Sequence, residues 1–184
     1  MLYPTDTVYA IGCDVNDKGA VQRVRQLKQL SNNKPLTFLC SSLSNIAEYA
    51  KVSDEAYRLM RHLIPGPYTF LLPASKQVPK MVINPKRKTT GIRVPDQAIC
   101  QSLLSTLGNP IVSTSAHLPD DDEWEVMEKA VLFDRLEGSV DLIIDSERDP
   151  GYQTSSIIDC TGKTAEVVRE GLGWEKLSKL VVGV

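Results

Sequence analysis

Thr5, Asp6, Thr7 and Tyr9 fall within five residues, directly after an apolar start. Two hydroxyls and a carboxylate at this spacing could hold a small polar substrate. Gly12 and Asp14 close the stretch, and a helical pattern begins at Asp17. The segment reads as a strand running into a polar loop at the mouth of a helix, where open α/β sheets bind ligands. An ordinary turn, with Thr and Asp satisfying their own backbone, is the alternative. Further polar residues recur at the ends of apolar segments: Lys28, Arg93 within Gly91-Ile92-Arg93-Val94-Pro95, Ser113-Thr114-Ser115, Ser155-Ser156 and Arg169. Arg93 is the most informative of them. A buried guanidinium needs a carboxylate, phosphate or carbonyl partner, so either a structural salt bridge or an anionic ligand is expected there. Taken singly, Lys28 reads as a solvated helix lysine and the Ser-Thr-Ser run as strand-end hydrogen bonding. Together these residues describe a cationic, hydroxyl-rich cleft suited to an anionic substrate with phosphates.

The elements that must position them follow from periodicity. Asp17 caps a helix whose Val21, Val24 and Leu27 recur at helical spacing, and Ser31 to Pro35 stops it. Leu36 to Cys40 reads as a strand, then helices over Leu43 to Ala50 and Ser53 to Ile64, the second ended by Pro65. Strands follow at Tyr68 to Leu72, Thr90 to Val94 and Ile111 to Ser115, with a helical turn at Val78 to Ile83 and a helix over Asp96 to Leu107 ended by Gly108. An acidic loop at Pro119 to Glu123 precedes a helix over Trp124 to Leu136. Leu142 to Ile144, Ser155 to Asp159 and Glu166 to Arg169 read as short strands. The pattern predicts one α/β domain over residues 1–184, a twisted mixed sheet of parallel and antiparallel strands with flanking helices.

Composition narrows the classes. The 184 residues are 42% hydrophobic and 24% charged, with a net charge of −2, as in an ordinary globular domain. The charge is unevenly spread. Ala74 to Pro95 holds six basic residues (Lys76, Lys80, Lys86, Arg87, Lys88, Arg93) and no acidic one, whereas Asp120 to Glu128 holds six acidic residues and no basic one. The first segment reads as an uncompensated basic surface, with Lys86, Arg87 and Lys88 the candidate RNA contacts and a merely solvated surface the alternative. The four cysteines are widely spaced and only two histidines are present, so buried thiols are expected and no metal held by protein ligands alone. No apolar run spans a membrane and no signal peptide is seen, so a cytoplasmic or organelle-interior location is expected. Walker, Gly-x-Gly-x-x-Gly, Gly-x-Ser-x-Gly and His-Glu-x-x-His motifs are lacking.

Seven motifs occur in order: Pro4-Thr5-Asp6-Thr7-Val8-Tyr9, Lys34-Pro35-Leu36, Pro65-Gly66-Pro67-Tyr68-Thr69, Arg93-Val94-Pro95, Ser113-Thr114-Ser115-Ala116, Ser156-Ile157-Ile158-Asp159 and Val168-Arg169-Glu170-Gly171. This series resembles the YrdC-like family of threonylcarbamoyl-AMP synthases from about Tyr3 to Gly173. Lys86-Arg87-Lys88-Thr89-Thr90-Gly91 and the Ser-Thr-Ser run point to its YciO branch. The resemblance implies a YrdC-like sheet with a concave, positive face. It also implies an N-terminus shorter than the family's by a helix and a strand.

The implied reaction joins L-threonine, bicarbonate and ATP into threonylcarbamoyl-AMP and pyrophosphate. Mg²⁺ would arrive on the nucleotide phosphates, and a tRNA adenosine would be the eventual acceptor. By motif position, Thr5, Arg93, Ser113 and Ser155 would hold threonine. Lys28, Asn32, Thr89, Ser115 and Arg169 would hold ATP, with Lys28 and Arg93 the catalytic candidates. Four positions depart from the family pattern. Lys-x-Arg reads Lys28-Gln29-Leu30 and Ser-x-Asn reads Ser115-Ala116-His117. Leu39 replaces a strand histidine, and Pro-x-His reads Pro95-Asp96-Gln97. The expectation is a slowed enzyme; the alternative is a non-catalytic module binding tRNA or double-stranded RNA.

Overall fold

The structure is a computed structural model that describes residues 1–30, 36–118, 128–147, 149 and 151–181. Eight strands and six helices are described: β1 (Leu2–Tyr3), β2 (Ala10–Asp14), α1 (Lys18–Leu27), β3 (Thr37–Leu39), α2 (Leu43–Tyr49), α3 (Asp54–Leu63), β4 (Tyr68–Pro73), β5 (Thr89–Arg93), α4 (Ala98–Leu107), β6 (Ile111–Ser115), α5 (Lys129–Leu136), β7 (Ser156–Asp159), β8 (Glu166–Arg169) and α6 (Trp174–Val181). All eight strands join one open sheet in the order β1-β2-β6-β3-β5-β4-β7-β8. β3–β5 and β4–β7 pair parallel and the remaining neighbours antiparallel. The expected mixed α/β sheet is therefore present.

Local chemistry sets the helix ends. The Asp17 carboxylate accepts the Ala20 N–H at 2.9 Å and starts α1. Ser53 does the same for α3 through the Ala56 N–H at 3.2 Å, with Asp54 and Glu55 in the first turn, where the helix dipole favours negative charge. Ala56, Met60 and Leu63 form the buried stripe of α3. α4 begins at Ala98 rather than Asp96, because the Gln97 side chain takes the Cys100 N–H at 2.8 Å and becomes its cap. Gly108, at φ 75°, ends it.

The two faces of the sheet are unlike. Phe38, Phe70, Leu72, Ile92, Val112 and Ile158 point into the main core, against Val21, Val24, Ile46, Met60, Leu63 and Leu177 of the helices. Each such side chain contributes about 1.5–3 kcal/mol by leaving water. On the opposite face a smaller cluster forms among the described residues, where Cys100 and Leu104 of α4 pack on Tyr3, Ala10, Leu39 and Ile111. Beside that patch the register sets Gly12, Ser113, Thr37, Gly91, Leu71 and Asp159 in one cross-strand row. Residues paired in this way share a face of the sheet.

Several elements differ from the sequence expectation. The polar loop, residues 4–9, does not open onto α1. It joins two antiparallel strands, β1 and β2, and α1 leaves from the far end of β2. The apolar pair Leu2–Tyr3 is itself a strand, so the chain reverses before the helix. Leu142 to Ile144 is an edge cover rather than a strand: Leu2 donates to the Leu142 carbonyl at 2.8 Å and Ile144 donates to Leu2 at 2.9 Å. The Val78 to Ile83 segment is one turn, closed by Val82 N–H on the Pro79 carbonyl at 2.9 Å. α5 is described from Lys129 onward; the acidic loop and the start of its expected helix lie outside the described residues. α6 was not anticipated. Its start follows Gly173, at φ 84°, and the flanking glycines mask the signal. No helix among the described residues is long and apolar enough to cross a membrane.

Candidate functional site

The loop between β1 and β2 is tied to itself first. Thr5 Oγ1 donates to the Val8 carbonyl at 2.6 Å and accepts the Thr7 N–H at 3.2 Å. Its neighbour Asp6 reaches across to β5 and forms an ion pair with Arg93. Arg93 Nη2 also donates to Thr7 Oγ1 at 3.0 Å. The second Asp6 oxygen accepts the Asp96 N–H at 3.0 Å. Both side chains are 9% exposed, and Arg93 Nε is buried without a partner among the described residues. Of the two expectations for Arg93, the carboxylate partner is thus present within the protein, and part of the guanidinium stays unused.

Hydroxyls continue along the same face. The Tyr3 phenol donates to Ser113 Oγ at 2.7 Å, and burial holds that phenol well above its ordinary pKa. Ser113 faces Thr37 across β6 and β3, and Thr37 faces Gly91 across β3 and β5. Thr69 Oγ1 and Ser155 Oγ are hydrogen-bonded at 2.9 Å. Arg169 donates through Nε and Nη2 to the Ser155 carbonyl at 3.0 and 2.8 Å. Thr89 is buried at the start of β5, and Ser115, half-buried, ends β6 opposite Ala10. Lys28 is the C-cap residue of α1. Asn32 lies outside the described residues.

The fold places Thr5, Arg93, Ser113 and Ser155, all buried, and the exposed Arg169 on strands and loops along one face of the sheet. Neighbouring strands lie ~4.8 Å apart, so Ser113 and Gly91 are separated by about 10 Å across β3. Sequence reasoning missed Thr37, Thr69 and Gly91 as members of this face, because only strand register makes them neighbours. It also passed over Asp6 as the partner of Arg93. Two of the departures from the family motif, Leu30 and Leu39, are packed. Leu30 lies against the main core, and Leu39 is buried beneath α4.

The basic segment is not uncompensated, contrary to its local sequence. Arg87 pairs with Asp159 of β7, and Arg93 with Asp6. Both acidic partners come from distant segments, invisible to a local charge count. Asp159 also accepts the Thr161 N–H at 3.0 Å and the Thr161 hydroxyl at 2.6 Å. Burial works to raise the Asp159 pKa, but the Thr161 and Arg87 contacts outweigh it and hold the carboxyl below its ordinary value. Lys76, Lys80, Lys86 and Lys88 remain exposed.

Two cavities lie apart from this face. One of about 410 Å³ runs between Ile11, Cys13, Val24, Leu27 and Val140; one of about 90 Å³ lies beside Cys40, Asn45 and Asn109. Neither contains a predicted site residue. Burial pushes the Cys13 thiol up to about 11 and those of Cys40, Cys100 and Cys160 up to about 12, so none is a ready nucleophile at neutral pH.

Residues 1–171 match the Sua5/YciO/YrdC family, described as telomere recombination. The chain belongs to this family. It is 43% identical over 173 residues to the uncharacterized protein YciO of Escherichia coli (strain K12), covering 94% of this chain and 83% of that one. The crystal structure of E. coli YciO aligns with a TM-score of 0.85 at 42% identity, over 96% of this chain and 84% of that one. The threonylcarbamoyl-AMP synthase of Vibrio vulnificus (strain YJ016) is 29% identical over 172 residues, covering 92% of this chain and 90% of that one. P. abyssi Sua5 complexed with L-threonine has the same family fold at a TM-score of 0.87 and 28% identity; 98% of this chain covers 53% of that one.

Proposed function

We propose that this protein is a threonylcarbamoyl-AMP synthase of reduced rate, taking L-threonine, bicarbonate and ATP. The observation that carries the reading is the meeting of one arginine with two hydroxyls on one face of the sheet. Arg93, whose buried Nε has no partner among the described residues, lies beside the hydroxyls of Thr5 and Thr7, in a fold shared with a Sua5 that was crystallised with L-threonine. An arginine fork binds both oxygens of a carboxylate, and hydroxyls suit the polar remainder of a small amino acid.

In the reaction, an oxygen of threonine carbamate attacks the α-phosphorus of ATP. The bond from that phosphorus to the bridging oxygen breaks, and pyrophosphate leaves with the electron pair. This chemistry needs alignment and charge neutralisation rather than a nucleophilic side chain. Thr5, Arg93, Ser113 and Ser155 orient the threonine part. Lys28, Asn32, Thr89, Ser115 and Arg169 hold the nucleotide, and Lys28 with Arg93 offsets the developing charge. Mg²⁺ fits as a companion of the nucleotide phosphates, the usual way it is held. Leu30 and His117 stand where a phosphate-side Arg and Asn would act, which accounts for the reduced rate. The product would serve modification of a tRNA adenosine in the cytoplasm or an organelle interior.

The test is mass-spectrometric detection of threonylcarbamoyl-AMP from purified protein with ATP, Mg²⁺, bicarbonate and threonine. A second reading, an RNA-binding module without catalysis, is favoured by the four exposed lysines at residues 76, 80, 86 and 88. ATP turnover that requires both threonine and bicarbonate separates the two.

A further inference from the structure

Two corners of the chain hold a backbone conformation that side chains rarely adopt. Among the described residues, Gln29 at φ 46° and Lys88 at φ 55° are the non-glycine residues in the left-handed region. They adjoin Lys28 and Thr89, two of the nucleotide-side candidates. Strain of this kind persists only where the surrounding structure fixes it, and it gathers at sites whose geometry is set in advance. Here the surroundings are explicit. After α1 the Gln29 N–H returns to the Gln26 carbonyl at 3.0 Å and the Leu30 N–H to the Arg25 carbonyl at 2.9 Å, a reversal usually built on glycine. The buried Arg25 side chain then donates through Nη1 to the Met81 carbonyl at 3.0 Å. That bond ties the end of α1 to the turn over residues 79–83. At the end of the same turn, the Asn84 N–H donates to the Thr89 carbonyl and the Asn84 carbonyl accepts the Lys88 N–H, both at 2.9 Å. The Asn84 side-chain oxygen accepts the Lys86 and Arg87 N–H groups, each at 3.0 Å. One short segment, residues 81–84, is thus bonded to both corners.

We propose that Arg25 and Asn84 are positioning residues for the nucleotide: through residues 81–84 they hold the Lys28 and Thr89 corners at a fixed separation before ATP arrives. This rests on the nucleotide reading above and extends it to two residues that act through others. Arg25 fixes the α1 corner from inside the protein, and Asn84 closes the loop that carries Lys88 into β5. A site set in advance loses less affinity to ordering when its ligand binds. The brace acts on the nucleotide side, whereas the threonine-side candidate Arg93 is held separately by Asp6 and Thr7.

NMR titration of the full chain with Mg·ATP, and separately with L-threonine, tests this. Arg25→Met keeps the apolar stem and removes the donor. It should weaken Mg·ATP by about 10-fold or more, within the roughly 100-fold that a misplacement of about 1 Å can cost, and leave L-threonine unchanged. Arg25→Lys, which keeps a donor toward the Met81 carbonyl, should recover part of the loss. Asn84→Ala should show the same split between the two ligands. A merely structural role would weaken both ligands alike. Equal losses for the two, no loss for Mg·ATP, or no recovery with lysine overturns the brace and leaves the nucleotide reading standing. If Arg25→Met does not fold, Asn84→Ala decides: unchanged Mg·ATP binding overturns the brace. A wild type that binds no Mg·ATP overturns the nucleotide reading itself, and the brace with it.

Discussion

Asp6 and Arg93 form a buried ion pair whose two halves are unequally satisfied. Both oxygens of Asp6 are engaged, one by Arg93 and one by the Asp96 N–H, while Arg93 keeps a buried Nε without a partner among the described residues. An unpartnered buried donor costs about 1–3 kcal/mol. A ligand oxygen reaching Nε would offset that cost, so the pair fixes the arginine in place without saturating it.

Removing one member should show this asymmetry. Asp6→Ala leaves a buried guanidinium without its counter-charge and should destabilise the fold by about 3–5 kcal/mol. Arg93→Ala leaves Asp6 with the Asp96 N–H and should cost less. Urea unfolding of the two variants ranks them; an equal or reversed order contradicts the account.

The acid limb of stability should carry a signature of Asp159. Its folded pKa is lowered, so its contribution is complete above the unfolded carboxylate pKa of about 3.9. That contribution is lost as pH falls through the folded value. Asp159→Asn should flatten the stability profile in that acid window and leave the slope near neutrality unchanged. Thermal melts between about pH 2 and pH 7 measure it, spanning the two pKa values.

RNA binding, if present, should be carried by lysines rather than by Arg87. Lys86→Ala with Lys88→Ala should lower affinity and reduce the slope of log affinity against log salt by about 1.4–1.8, the value for two phosphate contacts. Arg87 is tied to Asp159 with its side chain 53% exposed. Arg87→Ala alone should leave the slope nearly unchanged and cost at most about 1 kcal/mol of stability. A slope that drops with Arg87→Ala and not with the lysine pair refutes this division.

Catalytic rate should respond to the two phosphate-side departures. One lost charge-assisted contact is worth about 2–4 kcal/mol in the transition state, or roughly 30- to 1,000-fold. Leu30→Arg with His117→Asn should raise kcat for adenylate formation more than it lowers the KM for threonine. Leu30 packs on the core, so the double variant should also melt at a lower temperature. No gain in rate, with threonine still bound, would favour the RNA-module reading.

The sequence by itself determined the elements whose signals are local. Ser53 capping α3, Gly108 ending α4, the β-rich runs at Thr90 and Ile111 and the mixed α/β class all follow from spacing and cap chemistry within a few residues. It also determined that Arg93 needs a partner, since a guanidinium in an apolar run must be neutralised. Tertiary structure alone decided which partner. Asp6 lies 87 residues from Arg93 and Asp159 lies 72 from Arg87, separations at which propensity and charge runs carry no information. It likewise decided that residues 4–9 turn back between β1 and β2, and that Thr37, Gly91 and Leu71 stand side by side. Cross-strand neighbours are fixed by strand order and register, and these depend on how the whole chain buries its apolar face.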